Sequence, residues 1–294
     1  MTLFKKTLPY FFTVTVLLSS SALASYDKSG DSHKTNKFEI VDSLSSGTTE
    51  ASYDIKKQIA ENKAIELVTK YIHNAVSGAK RILVSKKKTG YLSAVRKELP
   101  GAPVNPEHTF HCLYGQYTQL NRALNQMGDT IQIIPQTYNA HMATSSFKQQ
   151  MTKLYDNEEY PNSIHRGHLY ANETEYNTAL NKYLSIKTKN KTGDIDSLRT
   201  KYTEDFEKNH FCANQLNPGS IIIVSSGHAI MYLGIGRIEN NQFVPDETGT
   251  AICCGYNCEQ TATSLKSWNT DKAFAADIQN IATQKYYTML TKTH

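Results

Sequence analysis

Nothing in this 294-residue chain is apolar for long enough to span a bilayer. The longest such run, Leu8 to Leu18, covers about 11 residues, where a membrane-spanning helix needs about 20. No cysteine follows that run, which excludes a lipid-attachment site there. No H-E-x-x-H and no G-x-x-x-x-G-K-[ST] occurs, and no Cys/His pairs show four-ligand zinc spacing. "GIG" at 234–236 lacks both a third glycine and a following helix, so it is not a phosphate loop. No internal repeat is visible. Charge of one sign is also scarce, with 32 Lys and Arg against 27 Asp and Glu, a net +5. That balance argues against a nucleic-acid partner and suits an anionic cell wall among other partners.

The N-terminus carries an export pattern. "MTLFKK" is a basic n-region, the Leu8–Leu18 run is an h-region, and "SSSALA" ends in a small-residue cleavage site. The expectation is a signal peptide over 1–24, cleaved after Ala24, and a secreted or periplasmic protein with no membrane partner once the signal is removed. Loss of Lys5 and Lys6 leaves 30 basic against 27 acidic residues, a net +3. Export makes disulfide pairing the default for Cys112, Cys212, Cys253, Cys254 and Cys258. An odd count leaves one thiol over. Cys253 and Cys254 adjoin in a strand-like run, so they point to opposite faces. One can bridge to Cys212 and the other to Cys258, which leaves Cys112.

Residues 25–52 are polar and read as a flexible leader. From Tyr53, apolar residues at 55, 59, 65, 68, 72 and 76 predict a helix ending near Gly78. "KRILVSKKKTG" reads as a basic connector or short strand, and residues 91–99 as a short helix stopped by Pro100-Gly101. Leu113, Tyr117, Leu120, Leu124 and Met127 predict a helix after Cys112, stopping at Gly128. "TIQIIPQTY" has strand composition. Residues 147–217 read as an insertion or lid with helices over "ETEYNTALNKYLSI" and "DIDSLRTKYTEDFEKNH". "PGSIIIVSSGHAIMYLGIGRIENNQFVPDETGTAICCGYN" reads as an antiparallel meander, and Ala273 to Leu290 as a terminal helix. Helices first and strands later give an α+β fold class.

"HTFHCLYGQYTQLNRAL" puts Cys112 where a helix begins. The helix dipole lowers a thiol pKa there, and a neighbouring imidazole can stabilise the thiolate and carry protons. Of ten histidines, His228 is the candidate, because it opens a strand after a short turn. A carboxylate or amide would orient that imidazole. Asp246, Glu247 and Asn257 are the candidates in that order, and alternation lets only one of the two acids face His228. His111, adjacent to Cys112 on a helix start, points away from it. "HTFHC" (His108, His111, Cys112) and "HRGH" (His165, His168) hold zinc-ligand types without zinc spacing, so no metal or other cofactor is expected. "NET" at 172 and "NKT" at 190 match the N-glycosylation pattern.

A cysteine opening a helix, followed downstream by "PGSIIIVSSGHAIMYLG", resembles the papain-like NlpC/P60 and CHAP group of bacterial cell-wall hydrolases. The resemblance covers roughly 90–255, interrupted by the 147–217 insertion. It implies a papain-like domain over 53–294, with the nucleophile helix packed on an antiparallel sheet. It further implies an exported cysteine amidase or peptidase acting on peptidoglycan stem peptides. In that reading Cys112 attacks as a thiolate paired with His228, which Asp246 or Glu247 orients. The Cys112 amide and a donor near 91–99, Tyr91 the candidate, would form the oxyanion hole. Two alternatives stand beside it. One is a secreted toxin-like peptidase, deamidase or transglutaminase acting on protein. Another is a non-catalytic, disulfide-stapled binding protein. An inhibitor or immunity partner is compatible with the enzymatic readings.

Overall fold

The computed structural model describes residues 49–99, 110–135, 143–240, 242–255 and 262–292. All belong to one compact unit, Gly47–His294. In chain order the elements are α1 (Thr49–Thr89), α2 (Tyr91–Glu98), α3 (Phe110–Gln126), α4 (Thr144–Tyr155), β1 (Ile164–Tyr170), α5 (Glu173–Thr188), α6 (Ile195–Glu207) and β2 (His210–Cys212). There follow β3 (Ile221–Ile223), β4 (Ala229–Glu239), β5 (Gln242–Pro245), β6 (Thr250–Cys254), β7 (Thr263–Ser264), β8 (Ala273–Ala276) and α7 (Ile278–Lys292). The fold is α+β. Among the described residues no helix is long and apolar enough to cross a membrane.

One eight-stranded sheet organises these elements, in the order β2-β1-β8-β3-β4-β6-β7, with β5 paired to the far half of β4. Only β1 and β2 run parallel. Strand alternation sends side chains to two buried layers. Ile221, Ile223, Ala229, Met231, Ile252, Cys254 and Phe274 join a core with α1, α3, α4 and α7. Ile222, Ile230, Tyr232, Cys253 and Ala275 join Leu169, Phe211 and Leu265 on the other face. Cys253 and Cys254 therefore do point opposite ways.

The helix α1 runs 41 residues, past Gly78 and through "KRILVSKKKT". Its buried stripe is Ala60, Ala64, Leu67, Tyr71, Ala75, Ala79 and Ile82, at spacings of three and four. Alanines let α2, α3 and α7 approach closely, and the stripe continues beyond Gly78, so the helix does too. The stripe expected from the large apolar residues was rotated. Ile55, Ile59 and Ile65 are 38%, 46% and 38% exposed, and only Val68 of that set is fully buried. The α3 stripe is as expected, with Leu113, Leu120 and Leu124 buried and Gly128 in the left-handed region at φ 64.

Four further expectations are corrected. Residues 147–217 supply β1 and β2 to the main sheet, with β1 paired to β8, so this segment is not an external insertion. Ala273–Ala276 forms a strand wedged between β1 and β3, and the terminal helix starts at Ile278. Residues 130–135 form no strand. Five strand spacings, about 24 Å, separate β2 from β6. Cys212 therefore cannot bridge Cys253 or Cys254, since a disulfide needs Cα atoms within about 7 Å. Cys258 lies outside the described residues.

Buried polar groups pin the sheet to its helices. Asp277 is fully buried ahead of α7, and its carboxylate accepts from Asn280 N (3.0 Å), Asn217 N (3.0 Å) and Asn217 Nδ2 (3.1 Å). These bonds tie the entry of α7 to the turn before β3. Gly167 in β1 sits at φ +113, and a Cβ there would stand 1.9 Å from Asn209 O. That carbonyl accepts from His168 N at 2.8 Å. Gly167→Ala should therefore destabilise the protein by about 3 kcal/mol or more. In urea this reads as a lower midpoint at unchanged m.

Candidate active site

Cys112 is the third residue of α3, in the first turn at the positive end of the helix dipole. The helix packs with that end against the beginning of β4. There the backbone N–H of Ala229 donates to Cys112 Sγ at 3.2 Å. His228 immediately precedes Ala229, so the chain brings Cys112 next to the backbone of a residue 116 positions away, while the His228 ring itself packs on Trp268, with the sheet layer opposite that of Cys112. The turn into β4 is closed by Gly227 N to Val224 O (2.8 Å) and Val224 N to His228 O (3.0 Å). Gly227 takes φ +81, a conformation open to glycine at little cost. This turn sets where His228 stands.

The imidazole is packed on two sides. Trp268 stacks on it with ring centroids 4.9 Å apart and planes 22° from parallel. Gly255 follows β6 on the adjacent strand, and a Cβ there would stand 3.4 Å from His228 Nε2. The loop carrying Trp268 is tied to the His228 turn by Ser225 N to Asn269 O (3.0 Å) and Lys272 N to Ser225 Oγ (3.0 Å). Burial drives the His228 pKa down to about 4. The neutral imidazole is thus favoured over the imidazolium of a resting thiolate pair.

Asp246 and Glu247 are not at this locus. Asp246 N donates to Ile235 O, seven residues along β4 from His228 and so about 23 Å away along the strand. Its carboxylate is held by Thr248 N (3.0 Å), Thr248 Oγ1 (2.8 Å) and Arg237 Nη1 (3.1 Å). These bonds, led by Thr248, pull its pKa below the usual carboxylate range. Glu247 is exposed beside it. The physical reason is the length of β4: its far half pairs with β5, so the turn after β5 lies at the opposite end of the sheet. Asn257 and His108 fall outside the described residues, as do the side chains of Tyr91 and His111.

The zinc-like histidines separate as well. Nε2 of His165 lies 3.0 Å from Asn162 O, and its ring stacks on Phe211 at 5.4 Å. His168 Nδ1 is 3.1 Å from Asp271 Oδ1. Among the described residues no three His, Cys, Asp or Glu side chains converge as a metal would need.

Two residues at or near the locus escaped sequence reasoning. Trp268 is the single tryptophan of the chain, in an otherwise polar loop. Gln116 lies one turn after Cys112 on the same helix face and is fully buried. Its Oε1 accepts from Tyr71 OH at 3.0 Å, and its Nε2 meets no acceptor. A glutamine inside an apolar helical stripe was the available signal. No family model, curated protein or solved structure matches the chain.

The depressed His228 pKa has a definite sign. The unfolded imidazole takes up its proton near pH 6.5 and the folded one only near pH 4. Between those values the unfolded state binds more protons, so stability is fully present above about pH 6.5 and falls as pH falls. The loss attributable to His228 should be about 3 kcal/mol, and His228→Phe should flatten that part of a urea-derived stability profile. Trp268→Ala admits water to the ring. An NMR titration of the imidazole should then show its pKa rising from about 4 toward about 6.5.

Proposed function

We propose that the chain is an exported cysteine amidase or peptidase of papain-like architecture, with peptidoglycan stem peptides as its leading substrate class. The observation that carries this reading is the 3.2 Å contact from Ala229 N–H to Cys112 Sγ, which joins a helix-start thiol to the residue following His228. A backbone donor on sulfur and the dipole of α3 both favour the thiolate as it forms. Neutral His228 then serves as a base rather than as a standing counter-ion.

In the first half-reaction the imidazole of His228 turns from its stack on Trp268 toward Sγ and takes the Cys112 proton as Sγ attacks the amide carbonyl carbon. The oxyanion forms at the start of α3, where helix N–H groups point. The imidazolium then gives its proton to the leaving nitrogen, the C–N bond breaks, and a thioester remains on Cys112. In the second half-reaction water attacks the thioester and passes its proton to His228. The S–C bond breaks, Sγ is reprotonated, and the carboxylic acid leaves. At rest Trp268 holds the ring by stacking, where sequence reading expected Asp246, Glu247 or Asn257 to orient it.

A second reading has one observation in its favour. Cys112 is fully buried and His228 is 4% exposed, which also suits a structural cysteine in a non-catalytic binding protein. Alkylation of the native protein separates the two. The enzyme reading, with a neutral His228 as base, expects a single thiol labelled near neutral pH ahead of the other cysteines, mapping to Cys112, and no such labelling supports the structural one. Wild type should release stem-peptide fragments from purified sacculi, and Cys112→Ala should lower that release by at least about 1000-fold. Asp246→Asn, at the far end of the sheet, should leave it unchanged. Release that survives Cys112→Ala defeats the proposal.

A further inference from the structure

The modest net charge of the chain conceals a strong local asymmetry. Residues 80–99 hold Lys80, Arg81, Lys86, Lys87, Lys88, Arg96 and Lys97 against one acid, Glu98. That is +6 on twenty residues of a chain whose total is +5, so everything else sums to −1. The sequence reading took 80–90 for a basic connector or short strand, separate from the helix over 91–99. In the structure these residues are the last turns of α1 and all of α2, folded back on each other through Ala79, Ile82, Ala94, Val95 and Leu99. The two helices thus form one cationic hairpin about Gly90.

Arg81 neutralises the single acid, with Nε and Nη2 at 2.8 and 2.6 Å from the Glu98 carboxylate. Lys80, Lys87, Lys88, Arg96 and Lys97 are exposed and form no ion pair among the described residues. Lysines in the last turn of α1 complement its dipole. That accounts for part of the cluster, but not for Lys80 two turns earlier nor for the apolar residues among the cations. Val84 is 51% exposed, and Lys80, Arg81, Lys87 and Lys88 are its i±3 and i±4 neighbours on the helix surface. Leu92 is 36% exposed, with Arg96 one turn beyond it on α2.

Cations alone would serve any polyanion. Apolar side chains set among them add area that water releases only where an apolar phase lies beneath the charges, which is the make-up of an anionic bilayer surface. From this charge and apolar pattern we infer that the α1–α2 hairpin is a docking surface for a membrane rich in anionic phospholipid headgroups. The lysines lie at headgroup level, and Val84 and Leu92 enter the interface. Such peripheral docking needs no spanning helix, and it revises the expectation of no membrane partner. It is independent of whether Cys112 is catalytic.

The test is co-sedimentation of the full chain with vesicles of about 7:3 phosphatidylcholine to phosphatidylglycerol, with pure phosphatidylcholine vesicles and, separately, with duplex DNA. Binding to the anionic vesicles at about 0.1 M salt should exceed that to neutral ones and fall at least about 10-fold at about 0.5 M. Lys87→Gln with Lys88→Gln should lower it about 10-fold or more. Val84→Ser should weaken vesicle binding about 3-fold while any DNA binding stays unchanged. All three positions are exposed, and an unaltered circular dichroism spectrum checks that the variants fold. Equal binding to neutral and anionic vesicles overturns the inference, as does none to either. So does DNA binding at least as tight as vesicle binding, or vesicle binding that ignores Val84.

Discussion

The arrangement of this protein turns on how the start of α3 meets the start of β4. At that junction one backbone N–H, that of Ala229, reaches a sulfur on a helix from a different part of the chain. The contact requires α3 to be pressed onto the sheet, and α1 does that. Tyr71 from α1 reaches the buried Gln116 of α3, and Asn74 Nδ2 bonds Gln126 Oε1 at 3.0 Å farther along. Polar links between otherwise apolar helices set their register, because a buried amide left without its partner costs about 1–3 kcal/mol.

The sheet supplies the other half of the constraint. Strands β3 and β8 and the first half of β4 are buried on both faces, so the turn at Gly227 has little freedom. The loop of Trp268 is bonded to that same turn through Ser225. His228 is thereby fixed by packing: an indole on one side and a glycine on the neighbouring strand on the other. A ring held in that way is dry, and dryness keeps it neutral. The proton chemistry at this locus follows from burial more than from any partner charge.

The cationic hairpin illustrates how a helix boundary changes a functional reading. As a connector, "KRILVSKKKTG" would scatter its charge. As helix it places lysines three and four residues from Val84 on one face. The helix continues there because Ala79 and Ile82 extend the buried stripe, and α2 covers it.

Much of the local structure was legible in sequence. Helical spacing marked α2, α3, α5 and α6, turn residues marked β3, β4 and a single further strand where the fold has both β5 and β6, and the helix-start and strand-start positions singled out Cys112 and His228. Those features depend on near neighbours in the chain, and local periodicity encodes them directly. The face of α1 was misread because alanines, not isoleucines, carry its packing, and close helix approach is a property of the partner surface. Strands β1, β2 and β8 were missed or misassigned because short segments become strands only when a sheet edge is there to pair with. The candidate orienting acids Asp246 and Glu247 were misplaced for a related reason. Counting along a hairpin assumes that β4 turns back near His228, whereas tertiary pairing carries β4 on for eleven residues and leaves Asp246 at the far end. The sequence by itself singled out Cys112 at a helix start and His228 at a strand start as candidates. Only the folded sheet, by fixing strand length and bringing Trp268 across from a distant loop, decided what surrounds them.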